Sequence, residues 1–240
     1  MNREFSLTIL IPVYNEEFLL QAALLSIDEF CKNNISDYEI LLIESGSTDQ
    51  SGVICDQFVT LNPNHTRVIH EGNRNGFGAA VKLGYQQATK DWIWLVTADL
   101  PFTLDTILVA SEYFDSYDCI LSYRSVDPRK IERQFQSYIY NTLVKITLGL
   151  HMRHINSGFK VINHRVIENL ELISKQWFLD AELLYWIQKF GYRYIEIPVP
   201  IIERTGGVSS VGTLAFWGIL KEMFHFLKIK ESLNKRKQHL

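Results

Sequence analysis

The sequence predicts an α/β protein, a mostly parallel sheet flanked by helices and followed by an amphipathic helical tail. Three observations carry that prediction. Residues 7–11, 39–43 and 92–96 are short runs with the near-continuous apolarity of strands buried on both faces, as parallel sheets require. Segments with apolar residues at helical spacing alternate with them. Each of the three strands also stops at a polar, acid-bearing edge. Such alternation calls for helices on both faces of the sheet.

The first strand, Leu7-Thr8-Ile9-Leu10-Ile11, ends in Pro12-Val13-Tyr14-Asn15-Glu16-Glu17. Residues 18–30 then place Leu20, Ala23, Leu24, Ile27 and Phe30 on one helical stripe. The second strand runs through Ile43 into Glu44-Ser45-Gly46-Ser47-Thr48-Asp49, where Gly46, Ser47 and Asp49 supply turn and helix-cap chemistry. A helix over about 50–61, a short strand at 67–70 and a helix over 76–89 lead to the strand ending in Thr97-Ala98-Asp99-Leu100-Pro101. Residues 118–123 read as a further strand, and 131–148 as a long helix. From 213 to 230, Gly218, Lys221, Glu222, His225 and Lys228 form a polar stripe with Leu214, Phe216, Leu220 and Leu227 around the rest. That tail is too charged to span a bilayer. Followed by Lys235-Arg236-Lys237, it suits an interfacial helix on anionic lipid. A helix packed against the domain or a partner subunit fits the same pattern.

A chain of 240 residues buries one sizeable α/β core, and one domain over 1–212 with a tail over 213–240 is expected. A net charge of −3 without a basic stripe gives no reason to expect a nucleic-acid partner. Cys31, Cys55 and Cys119 lack metal-type spacing and read as reduced thiols of a cytosolic protein. Residues 1–5 lead directly into a strand, so no signal peptide is expected, and the sequons at Asn34 and Asn64 read as chance matches.

Open α/β sheets bind ligands at the carboxyl edge of their strands, so Glu44 and Asp99 are candidate contacts for the hydroxyls or N–H groups of a nucleotide. Gly76-Phe77-Gly78 is not a dinucleotide fingerprint, because Val81 stands where the third glycine belongs. Its glycines either let a helix start pack closely against a ligand pocket or serve a purely structural turn. Arg124, Arg129, Lys130 and Arg133 cluster between a strand and a helix, and guanidinium groups suit bidentate phosphate binding. The same charges suit a solvated helix face.

The ordered motifs Pro12-x-Tyr14-Asn15-Glu16, Glu44 to Asp49, Asn73 to Ala80, Thr97-Ala98-Asp99, Ser122-Tyr123-Arg124, Asn156 to Lys160, Asp180-Ala181-Glu182 and Arg204-x-x-Gly207-x-Ser209 resemble glycosyltransferase family 2, with its A-type fold. Within that family they are similar to dolichol- and polyprenyl-phosphate sugar synthases. The resemblance covers about residues 8–210. It implies a nucleotide-sugar-binding sheet, a donor half over about 1–101 and an acceptor half over about 102–212. It implies donor contacts at Pro12, Tyr14, Glu16, Ile43, Glu44, Ser45, Asn75, Gly76, Thr97, Ala98 and Asp99. Catalytic or acceptor roles fall on Asp99, Arg124, Arg133, Asp180 and Arg204.

The activity so implied is inverting transfer of a sugar from a nucleotide donor to a lipid phosphate, by a peripheral enzyme on the cytosolic face of a membrane. Mg²⁺ or Mn²⁺ held by Asp99 would stabilise the leaving diphosphate. Thr97 and Pro101 replace expected polar ligands, so weak metal binding is expected. A phosphate acceptor is already an anion and needs no strong base, whereas a sugar hydroxyl would call on Asp180 or Glu182. Transfer to such a hydroxyl in surface polysaccharide assembly, and a non-catalytic nucleotide-sugar-binding protein, are the alternatives.

Overall fold

The computed structural model describes residues 4–202 and 213–237. One seven-stranded sheet has the order β3-β2-β1-β4-β6-β5-β7. Its strands are β1 (Ser6–Val13), β2 (Asp37–Glu44), β3 (Thr66–His70), β4 (Trp92–Leu95), β5 (Cys119–Arg124), β6 (Lys160–Asn163) and β7 (Tyr194–Val199). All neighbours pair in parallel except β6, which runs antiparallel to both β4 and β5. The expected α/β sheet is therefore present, with one reversed strand. That reversal brings the start of β6 to the edge where the parallel strands end.

Strand periodicity sorts the side chains into two cores. Leu7, Ile9, Ile11, Ile40, Leu42 and Trp94 point to one face, under α1 (Glu17–Asn34) and α2 (Ser51–Leu61). Leu10, Leu41, Ile43, Ile93, Leu95 and Leu121 point to the other, under α3 (Phe77–Gln87), α5 (Ile131–Leu148) and α7 (Leu179–Lys189). Two short helices, α4 (Thr106–Ser111) and α6 (His164–Glu168), complete the connections before α8 (Thr213–Lys237).

The tail does not lie apart from the domain. Ile219, Met223, Phe226 and Leu233 of α8 are buried in the same core as α7, and the Phe226 ring meets those of Phe178, Tyr185 and Trp186 at 5.3–5.8 Å. Glu222 accepts from the backbone N–H groups of Lys175 and Gln176 at 2.8 and 2.9 Å, just ahead of α7. These contacts fit the packed-helix alternative for the described side chains of α8. Phe226 covers Phe178 and Trp186, while Phe224 on the same helix is exposed. Lys235, Arg236 and Lys237 lie outside the described side chains.

Phe226→Ala should therefore cost about 3–5 kcal/mol of unfolding free energy, the range for truncating a buried aromatic. Urea denaturation followed by far-UV circular dichroism measures it, and a loss below 1 kcal/mol would place α8 off the core.

Candidate active site

The site lies where the strand order reverses. The chain runs from β1 outward to β2 and β3, then crosses back to lay β4 on the other side of β1. The crevice at that switch point is where open α/β sheets bind ligands. Tyr14 follows β1, Glu44 ends β2, and Thr97 and Asp99 follow β4, so all lie at one edge. With β1 between them, the ends of β2 and β4 stand ~10 Å apart, twice the strand spacing.

The β1 and β2 turns are laced together by side chains. Asn15, at φ 52°, donates its backbone N–H to Ser47 Oγ at 3.1 Å, and its Oδ1 accepts the Thr48 N–H at 2.8 Å. Asparagine tolerates this left-handed conformation better than most residues. The Glu16 N–H bonds Ser51 Oγ at 2.8 Å, and the Glu17 N–H bonds Asp49 Oδ2 at 3.2 Å. Gly46, at φ 67°, lies where a Cβ would come 3.0 Å from the Asn73 Cα, so only glycine lets the two loops meet. Ser45 Oγ donates to Glu71 at 2.6 Å, and Glu71 also accepts from Asn75 at 3.2 Å. Pro12 and Ile43 are register partners in the β1–β2 pair beneath these turns.

Glu44 is turned inward, 5% exposed. One carboxylate oxygen accepts the Ser47 N–H at 2.5 Å and the other faces His70 Nδ1 at 3.0 Å. Burial works to raise its pKa, but the Ser47 and His70 hydrogen bonds outweigh it and hold the carboxyl below its ordinary value. Glu44 thus braces the turn through Ser47 and His70. Outward of it, the Arg74 guanidinium stacks on the Tyr14 ring at 4.0 Å. Nothing in residue spacing marked Arg74, because its partner lies on a different strand end.

Gly76 and Gly78 receive a structural explanation. A Cβ on Gly76 would come 2.4 Å from the Lys175 carbonyl, and the Ala79 N–H, in the first turn of α3, donates to that carbonyl at 3.0 Å. The α3 start is packed against the 175–176 segment, and this first-turn amide is spent there.

At the end of β4, Thr97 Oγ1 donates to Asp99 Oδ1 at 2.5 Å. Leu100 follows at φ 40°, a strained conformation for a branched side chain, and Ala98 is buried beneath. Among the described residues no group of three or more His, Cys, Asp or Glu is placed to hold a metal. The residues present fit a divalent cation only in a minimal way, with Asp99 as the carboxylate and donor phosphates and water as the remaining ligands. Pro101 packs against Gly158 instead of offering a ligand.

The reversed strand β6 supplies the next group. Lys160, nearly buried, donates to Asp180 Oδ2 at 3.0 Å and to the Ser157 carbonyl at 2.6 Å. Asp180 is therefore engaged by a cation and is not an unencumbered base. Glu182 is fully buried and accepts from the Ile173 and Ser174 N–H groups at 2.8 Å. Burial raises its pKa against those bonds, and its place is in the wall of the domain.

Arg124 ends β5 and borders an open cleft of about 730 Å³ that Arg129, Phe135, Tyr138, Lys145 and Arg153 also line. Its guanidinium is anchored to the Asn156 carbonyl at 2.7 Å and Ser137 Oγ at 3.3 Å. Burial, then the neighbouring Arg129, lower its pKa to about 10, so it remains a cation at neutral pH. Arg133 is exposed on α5 and does not line this cleft; Lys145 and Arg153 stand there instead. Helical geometry explains the difference, since residue 133 is rotated away from the face that carries Gln134 and Tyr138. Arg204 lies outside the described residues.

Comparison with known proteins adds to this geometry. Residues 8–171 match the model of glycosyl transferase family 2. Among curated relatives, a polyprenol monophosphomannose synthase of Mycolicibacterium smegmatis is 25% identical over 234 residues, covering 88% of this chain and 86% of the relative. An undecaprenyl-phosphate 4-deoxy-4-formamido-L-arabinose transferase of Proteus mirabilis is 24% identical over 220 residues, covering 90% of this chain and 66% of the relative. Among solved structures, a glucosyl-3-phosphoglycerate synthase from Mycobacterium tuberculosis with Mn²⁺ and UDP gives a TM-score of 0.66 at 13% identity, over 88% of this chain and 76% of that one. A mannosyltransferase from Pyrobaculum calidifontis with GDP-mannose and Mn²⁺ gives 0.64 at 20% identity, over 89% and 60%. These structures share the fold.

Because Thr97 supplies a hydroxyl and no charge, the nucleotide-free protein should bind Mn²⁺ weakly. Thr97→Asp should tighten that binding by about tenfold, the effect of one added carboxylate ligand. Calorimetric titration without nucleotide checks it, and tight binding by the unsubstituted protein would contradict the minimal site.

Proposed function

The chain belongs to glycosyl transferase family 2, and from that premise we propose that it transfers a sugar, with inversion, from a nucleotide-sugar donor to a polyprenyl-phosphate-like lipid. The Arg124 cleft carries this reading. It combines cations with exposed apolar surface, which a lipid phosphate needs and a free saccharide does not. Arg124, Lys145 and Arg153 supply positive charge, with Arg129 paired to Asp127 at 2.6 Å in the same lining, while Ile131, Phe135, Tyr138 and Ile146 of α5 are 62–79% exposed. On its other side α5 buries Tyr140, Val144 and Leu148 in the core. A helix anchored by one face and apolar on the other is suited to lie at a membrane interface. No described helix is long and apolar enough to cross a membrane.

The chemistry follows from these groups. A phosphate oxygen of the acceptor attacks the anomeric carbon as the bond to the nucleoside diphosphate breaks, inverting that carbon. The attacking phosphate is already an anion, so the step needs no strong base. That agrees with Asp180 being committed to Lys160. Arg124 holds the acceptor phosphate, and its two anchors fix the guanidinium at the border of the cleft. Asp99 lies at the switch point, where the donor diphosphate would rest. A divalent cation bound there would neutralise charge on the departing diphosphate.

The reading treats residues up to 212 as the transferase domain, with α8 packed onto it. It also favours the cytosolic side of a membrane, where the three free, buried cysteines stay reduced.

Two outcomes test the assignment. Asp99→Ala should lower transfer by at least about 100-fold, the scale of a lost electrostatic contributor, while the melting temperature stays unchanged. A radiolabelled transfer assay across nucleotide sugars measures it, and equal activity would sink the donor site. The surface double substitution Phe135→Gln and Ile146→Gln should weaken sedimentation with anionic liposomes and transfer to a prenyl phosphate, yet spare donor hydrolysis. Unchanged sedimentation would remove α5 from the membrane.

A further inference from the structure

His70 bridges two carboxylates beneath the donor edge. Its Nδ1 lies 3.0 Å from Glu44 Oε2 and its Nε2 lies 2.9 Å from Asp56 Oδ1. A neutral imidazole carries one N–H and can donate to only one of them. Donation to both requires the imidazolium. Glu44 is buried while Asp56 is exposed on α2, so the ring links an interior acid to a surface one.

Resting on the donor reading above, we infer that protonated His70 is a positioning residue for the donor site, holding Glu44 in the orientation that shapes the nucleotide-binding turn. The linkage runs through named bonds. Glu44 receives His70 on one oxygen and the Ser47 N–H on the other. Ser47 Oγ accepts the Asn15 N–H, and Asn15 Oδ1 accepts the Thr48 N–H, so the β2 turn fixes the residue after Tyr14. Parallel register places His70 directly beside Glu44 at the ends of β3 and β2. Loss of the proton would leave one of the two acids without its donor, and the buried one loses most.

The surroundings favour the charged ring. The bond to Glu44, then that to Asp56, raise the His70 pKa above its ordinary value, against a smaller opposing effect of burial. Cys55, the other titratable group near Glu44 on α2, is held up at about 12 by burial and the adjacent carboxylates, so it stays a neutral thiol. Glu71 is occupied by Ser45 and Asn75. Because the folded pKa is raised, the bridge is complete below the ordinary histidine value and is lost as pH climbs through the raised one. Donor affinity should follow the same limb and fall toward alkaline pH.

The experiment measures binding of UDP and GDP to the full chain by calorimetry from about pH 6 to about pH 9, alongside an NMR titration of the His70 ring. Affinity for the nucleotide that binds should fall by about tenfold, the equivalent of one pKa unit of coupling, with a midpoint at the ring's own pKa. Asp56→Asn removes a surface acid with little risk to folding, and should shift both midpoints together to lower pH. His70→Gln should bind nucleotide more weakly and without the limb, although the nucleotide's own titration is unchanged. A ring pKa at or below the ordinary value overturns the inference, as does affinity that ignores the ring's titration or a limb that survives in His70→Gln. Failure of both nucleotides to bind at any pH overturns the donor reading itself, a result distinct from pH-independent binding.

Discussion

Everything at the candidate site depends on β1 being paired in parallel on both sides, with β2 and with β4. A strand with neighbours on each edge and a core on each face has no freedom to move, so Pro12 to Glu16 leaves the sheet in a fixed direction. Leu7, Ile9 and Ile11 fill one core and Leu10 the other, all within 1% of complete burial. Each such side chain contributes about 1.5–3 kcal/mol when removed from water. The topology that places β4 beside β1 also opens the crevice at which Tyr14 and Asp99 are presented.

At that edge, most polar groups named from the sequence serve one another. Asn15 binds Ser47 and Thr48, Ser45 binds Glu71, and Glu44 binds Ser47 and His70. Such lacing stabilises a loop that a buried carboxylate would otherwise disrupt, because an ionised group out of water must be hydrogen-bonded. On the donor reading proposed above, recognition falls to the groups left facing outward, which include the Tyr14 ring with Arg74 above it and the Thr97–Asp99 pair. The edge is rigid by virtue of its inward bonds.

The strands and long helices were legible because their apolar periodicity is set by burial, which composition reports directly. Leu7 to Ile11 and Trp92 to Leu95 fall in strands as expected, and α5 matches residues 131–148. The reversed β6 was not legible: Lys160 to Asn163 is four residues long, and its direction depends on strands far away in sequence. The same holds for the site. Motif order located the strand ends, but side-chain orientation there is decided by partners such as His70, Lys160 and Lys175, which approach from other elements. Gly76 illustrates the limit. Its need for a missing Cβ is visible only once the Lys175 carbonyl is seen 2.4 Å from where that atom would be.

The two amphipathic helices show why periodicity alone does not assign a membrane face. Both α5 and α8 carry an apolar stripe and basic residues, and the sequence pointed to α8. Which stripe is buried depends on what the rest of the fold leaves uncovered. Phe178, Tyr185 and Trp186 form an aromatic surface on α7 and its approach, and α8 covers it with Met223 and Phe226 while Glu222 meets the N–H groups of Lys175 and Gln176. On α5 the core takes Tyr140, Val144 and Leu148, so its second apolar stripe has no protein partner among the described residues. Exposed apolar patches of this kind mark interaction surfaces. Here the patch adjoins the cationic Arg124 cleft, and a partner that is apolar along its length and anionic at its end satisfies both. A lipid phosphate in a bilayer has that chemistry, which is why the proposal places the acceptor and the membrane on the same face of the molecule.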